Sequence, residues 1–198
     1  MRSKAHGLQL SSMVGQKISG NGDILSFGYN TDEIINGIGS EISNRKDPCG
    51  PTITGVIDNR GPDTSPNVLD GHVIQEGAIP EALAKVFQPI LEVLPGKVYP
   101  EPFALGKRFR HFLSRTQTRL MGPYSIGSSV NRTQVYLIMS HDSNEGILTL
   151  QNDRPYLQFL GVGRTKHVEA LKEVLKKATN VIGGTLINSP FYAGMSHG

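Results

Sequence analysis

The sequence predicts an α+β fold, a largely antiparallel β-sheet packed with a few helices, and three observations carry that expectation. Short runs of alternating, β-branched residues recur at 52–57, 72–76, 133–139, 147–150 and 156–159. The last three are joined by polar links too short to hold a crossover helix, so they are expected to form a meander of three antiparallel strands. Helical spacing is confined to a few segments, the clearest at 165–180.

Each element follows from local sequence. Residues 1–14 show loose helical spacing at Leu8, Leu10 and Val14 without a capping residue. The stretch Ser19-Gly20-Asn21-Gly22-Asp23 permits left-handed backbone and close approach, and Ile24-Leu25-Ser26-Phe27 after it reads as a strand. Residues 32–44 and 59–67 are rich in Gly, Asn, Ser or Pro and read as loops. Pro80 and Glu81 suit the first turn of a helix whose apolar positions are Leu83, Val86, Phe87, Ile90 and Leu91. Pro89 should bend or shorten that helix, and Pro95-Gly96 should end it. Residues 103–120 carry Lys107, Arg108, Arg110, Arg115 and Arg119 with Phe109, Phe112 and Leu113 between them. They read as a solvated amphipathic helix, the alternatives being a contact with another domain, a lid, or an anionic surface. In 165–180, Val168, Leu171, Val174, Leu175 and Ala178 share one face; Gly183-Gly184 stops the helix and Thr185-Leu186-Ile187 returns as a strand.

Composition narrows the function classes. With 198 residues, 37% of them hydrophobic and 19% charged, the chain can bury a core and is not of the disordered type. A net charge of +3 is too small to argue for nucleic acid. The single Cys49, in the turn-like Asp47-Pro48-Cys49-Gly50-Pro51, excludes an internal disulfide. No apolar run approaches the roughly 20 residues that span a bilayer, so no transmembrane segment is expected. Asn131-Arg132-Thr133 fits the glycosylation acceptor pattern and is read as chance.

Motifs for common chemistries are absent. Neither the glycines of Gly20-Asn21-Gly22-Asp23 nor Gly161-Val162-Gly163-Arg164 complete the dinucleotide fingerprint G-x-G-x-x-G. There is no Walker motif, no G-x-S-x-G elbow and no Cys/His metal spacing, and His141-Asp142-Ser143-Asn144 reads as a turn rather than a cation loop. Glu76 stands out because it closes an apolar strand just before Gly77-Ala78-Ile79-Pro80. Local sequence alone favours a structural or helix-end carboxylate; a proton acceptor is the sharper alternative.

Four blocks, in order, resemble the glucose–methanol–choline family of FAD-dependent oxidoreductases, most closely its cholesterol-oxidase-like branch. Gly20-Asn21-Gly22-Asp23-Ile24-Leu25 resembles that branch's Asn-Asn-Gly-Asn-Ile-Met segment, with Asp23 replacing an Asn. The stretch from Val73 through Glu76 to Pro80 resembles the strand with the active-site glutamate and the Pro-containing helix start after it. Residues 142–159 resemble its hairpin, and residues 168–191 its long helix, Gly-Gly-Thr turn and return strand. The resemblance implies a substrate-binding domain over 17–192, a remnant of the FAD-binding domain over 1–16, and an unrelated tail over 193–198. It implies oxidation of a CH–OH group of a sterol or other bulky alcohol by hydride transfer to FAD, with Glu76 catalytic and Gly20, Asn21, Gly22 and Asp23 near substrate and flavin. The family's FAD fingerprint and its His-Pro-x-Gly-Gly segment are not in the chain, and His197 lacks the Pro that should follow. The expectation is therefore a fragment, inactive alone, with no FAD of its own. Its partners would be a separate flavin-binding Rossmann domain and a hydrophobic alcohol, with no nucleic acid and no metal. A non-catalytic lipid- or sterol-binding module descended from such an enzyme is the alternative.

Overall fold

The alternating segments at 72–76 and 133–139 lie side by side at the centre of a six-stranded sheet in the computed structural model, which describes residues 6–39, 53–94, 97–99, 105–158 and 165–188. Its strands are β1 (Ile24–Tyr29), β3 (Val56–Asn59), β4 (His72–Gly77), β6 (Lys97–Val98), β7 (Gln134–Ser140) and β10 (Thr185–Asn188). They are ordered β3-β4-β7-β1-β10-β6, and every neighbour is antiparallel. Two small sheets stand apart: β2 (Ile38–Gly39) with β5 (Ile79–Pro80), and the hairpin of β8 (Ile147–Gln151) with β9 (Arg154–Gln158). The described residues also form three α-helices: α1 (Ala84–Val93), α2 (Leu105–Met121) and α3 (Thr165–Val181). The class is α+β on a largely antiparallel sheet.

Period-two alternation divides the sheet into two faces. Ile24, Ile74, Ile138 and Leu186 point to one face and bury Val168, Leu171 and Leu175 of α3. Phe27, Tyr29, Val135 and Ile187 point to the other and pack on Ala84 and Leu91 of α1. There the rings of Phe27 and Phe87 meet edge-on, 5.9 Å between centroids. α1 covers only half of its face. Leu25, Val56 and Met139, on the same side, stay exposed at the far end of their strands.

Several local expectations need correction. Residues 6–16, within the segment expected to be helical, form turns, because no apolar face there is wide enough to drive packing; Gly15 is instead tied by its carbonyl to the Leu148 amide, 2.7 Å. The strand expected at 52–57 is shifted: 53–55 precede it and β3 runs over Val56–Asn59, in register with β4. The three-strand meander does not form. β7 takes β1 and β4 as neighbours, and β8 pairs only with β9, because β7 is more deeply apolar and fills the centre of the main sheet. α1 continues through Pro89 without stopping there. Cys49, Pro95-Gly96, 161–164 and His197 lie outside the described residues.

α2 is a helix, as its spacing predicts, but it is mounted the other way round. Its inward residues are polar: His111, Ser114 and Thr118 are buried, while Phe109, Phe112 and Leu113 face out. The inward groups find partners from far along the chain. Ser114 Oγ donates to Asn30 Oδ1 at 2.7 Å, and Asn30 Nδ2 donates to the His111 carbonyl at 3.2 Å. His111 Nε2 donates to the Gly183 carbonyl, and the Ser129 amide donates to Thr118 Oγ1. Arg110 reaches Asp32 at 2.6 Å and the Thr31 carbonyl at 2.7 Å. Gly183 ends α3 with φ +67°, and a Cβ there would run into the Asp32 carboxylate that holds Arg110. Asn131, in the glycosylation-like triplet, is buried, with its amide donated to the Ile126 carbonyl.

Burial pushes His111 down to about 4, with the Arg110 charge beside it acting in the same direction. The folded state thus keeps this imidazole neutral while the unfolded chain protonates it near pH 6.5. The unfolded state binds more protons between these values, so stability is full above pH 6.5 and falls as pH drops toward 4. The expected loss is on the order of 2 kcal/mol. Denaturant melts of the parent and His111→Gln at pH 7.5 and 4.5 should show this slope in the parent alone; equal slopes would contradict it.

Candidate functional site

Glu76 is the fifth residue of β4, on the same face as Ile74 and half-buried beyond the end of the α3 contact. Its amide donates to the Gly55 carbonyl at 2.9 Å, and its Oε2 accepts from Thr54 Oγ1 at 2.5 Å. Antiparallel register sets Glu76 beside Tyr136, Tyr136 beside Ser26, and Ser26 beside Asn188. These four polar residues make one row across four strands, next to the apolar row of Ile24, Ile138 and Ile74. Thr179 Oγ1 of α3 donates to the Tyr136 hydroxyl at 3.2 Å, and burial raises that phenol above its ordinary value. Asn188 Oδ1 is buried without a hydrogen-bond partner among the described residues.

The Gly20–Asp23 corner lies elsewhere. Asn21 and Gly22 are both left-handed, φ 58° and 57°, which turns the chain into β1. Gly22 has no room for a Cβ, because the Ser140 backbone and hydroxyl press against it. Asp142 clamps the corner: its Oδ2 accepts from the Gly20 amide at 2.6 Å and from Ser19 Oγ at 3.0 Å. Burial works to raise the Asp142 carboxyl, but the amides of Gly20 and Asn144, with the other donors of the loop, hold it below the usual carboxylate range. Partial burial and the Asp142 charge together raise Asp23. These glycines therefore have a structural task in the corner, as does the turn at 141–144.

Glu76 and the Gly20–Asp23 corner do not share a pocket. They are two strands apart and three residues apart along the register, about 14 Å by strand geometry. Glu76 also leaves the sheet on the α3 face, whereas Asn21 borders a cavity of about 700 Å³ on the other face, against Val56, Val73, Gln75 and Met139. A second cavity, about 780 Å³, lies between the start of α3 and the β3–β4 hairpin. In it the His72 and His167 rings are 6.3 Å apart, and His72 Nδ1 donates to the Asp70 carbonyl while its Nε2 faces Asn59 Nδ2 at 3.4 Å. A third, about 400 Å³, is bordered by Lys97, Tyr99, Arg108, Arg115 and Thr185.

Sequence reading singled out neither the Tyr136–Ser26–Asn188 row nor these last two cavities. Register or tertiary packing alone assembles them, and His72 and His167 are too distant in sequence to suggest each other. Among the described residues no group of three His, Cys, Asp or Glu is placed to hold a metal ion, and no helix is long and apolar enough to cross a membrane. No family model, curated protein or solved structure matches the chain.

Proposed function

We propose that the chain is the substrate-binding part of an FAD-dependent oxidoreductase of the glucose–methanol–choline type, cholesterol-oxidase-like branch, acting on the CH–OH group of a sterol or another bulky alcohol. The observation that carries this reading is the setting of Glu76. The carboxylate stands at the half-buried end of a polar row, with Oε2 held by Thr54 and the backbone pinned to Gly55. A carboxylate so fixed is suited to receive a hydroxyl proton from an alcohol brought to that end of the row.

The described residues do not fit FAD by themselves. The pyrophosphate of a dinucleotide takes the N-terminus of a helix that follows a parallel strand in a βαβ unit. Here the only parallel pairing among the described residues is the two-residue contact of β2 with β5. FAD therefore falls to a partner domain outside these residues.

The test is equilibrium binding of a fluorescent sterol, delivered from cyclodextrin without vesicles, together with absorbance of the chain after incubation with FAD and desalting. Saturable sterol binding with Kd of about 1–10 µM and a colourless protein are expected. Absence of saturable sterol uptake, or a yellow protein with stoichiometric FAD, would overturn the reading.

A further inference from the structure

The outward face of α2 is apolar and exposed among the described residues. Leu105, Phe109, Phe112, Leu113 and Leu120 recur at i, i+4, i+7, i+8 and i+15, so they form one stripe along the helix. Leu105 and Leu120 are 82% and 81% exposed, Phe109 63% and Phe112 58%. An apolar stripe of this length left open on a protein surface marks an interaction site.

Charge identifies the partner. The 17 residues of α2 include Lys107, Arg108, Arg110, Arg115 and Arg119 and no Asp or Glu. Asp32 faces Lys107 and Arg110 on the inner side, and Glu92 pairs with Arg119. The helical repeat puts Arg108, Arg115 and Arg119 in one row along one border of the stripe. Behind that border lies the 400 Å³ cavity, where Arg108 and Arg115 stand with Lys97, Tyr99 and Thr185, and none of the described residues bordering it is a carboxylate. Burial, and then the charge of Arg115, push the Lys97 ammonium below its ordinary value. The Glu92 carboxylate pulls it the other way. A second copy of the chain, set stripe to stripe, would bring the same cations against each other.

We infer that α2 is an interfacial helix, which lays its stripe into an anionic phospholipid surface with the arginine row along its border set against the lipid phosphates. This inference is independent of the proposed alcohol chemistry, and its test contains no sterol.

The full chain is floated with phosphatidylcholine vesicles and with vesicles in which roughly one third of the lipid is phosphatidylserine. Binding is expected to the anionic vesicles, at least tenfold weaker to the neutral ones, and lost in about 0.5 M salt. Two double variants, Phe109→Ser with Phe112→Ser and Arg108→Gln with Arg115→Gln, should each weaken binding at least tenfold while keeping the parent's circular dichroism, since the phenylalanines are on the outer face. Equal binding to both vesicle types, unchanged binding by either folded variant, or retention of inorganic phosphate without vesicle binding would overturn it. So would a stripe-dependent dimer, or capture by a separate flavin domain, that fails to float with vesicles.

Discussion

Replacing Glu76 by Gln is expected to lower kcat by about 10²–10⁴-fold in a complete flavoenzyme of this type that carries the chain as its substrate-binding part, with flavin content unchanged. Gln preserves the shape of the side chain and can still accept from Thr54 Oγ1, which is 2.5 Å from the carboxylate in the parent. It removes the group that takes the proton in the function proposed above. A sterol-binding isotherm close to the parent's would accompany the fall, because the substitution leaves the apolar face intact. Retention of kcat within about threefold, some 0.7 kcal/mol, would make Glu76 a structural carboxylate and favour a binding module without redox chemistry.

Asn30→Ala is expected to cost about 4 kcal/mol of stability. Asn30 is fully buried and left-handed, φ 56°, and its amide is the bridge between β1 and the polar face of α2. Truncation leaves Ser114 Oγ and the His111 carbonyl without their partner, about 1–3 kcal/mol each, and forces Ala into the left-handed region for about 1 kcal/mol more. For a domain of this size the midpoint of thermal unfolding should fall by roughly 10 °C. Asn30→Gly removes the backbone cost alone, so it should recover only the smaller part. A fall of less than about 3 °C for Asn30→Ala would show that α2 is held chiefly by Arg110 and Asp32.

Asn30 also explains what could and could not be read from the sequence. β1, β4 and β7 are legible because each is a short, largely apolar run rich in β-branched or aromatic residues, and α3 because its apolar residues share one helical face. The helical repeat of α2 is equally legible, yet its orientation is not. An amphipathic helix normally turns its apolar side inward; here Asn30, Ser129 and the Gly183 carbonyl supply enough buried partners to hold the polar side instead. Those partners come from three remote segments. The same holds for the candidate site: Glu76 is visible as a carboxylate ending a strand, but only the pairing of β4, β7 and β1 places Tyr136 and Ser26 beside it and moves the Gly20–Asp23 corner away. The β8–β9 hairpin stands outside the expected meander because local sequence describes a strand's length and not its neighbour.

The strand order sets a timetable for synthesis. β1 is made first among the strands, yet its neighbours are β7 and β10, which begin 105 and 156 residues after Tyr29. At about 5–20 residues per second, roughly 6–22 s pass between emergence of β1 and completion of β7, its first partner. Over that interval Ile24, Phe27 and Tyr29 have no sheet to join. A nascent chain of this topology depends on chaperone cover for its most apolar early strand, and its refolding in vitro should be slow and sensitive to protein concentration.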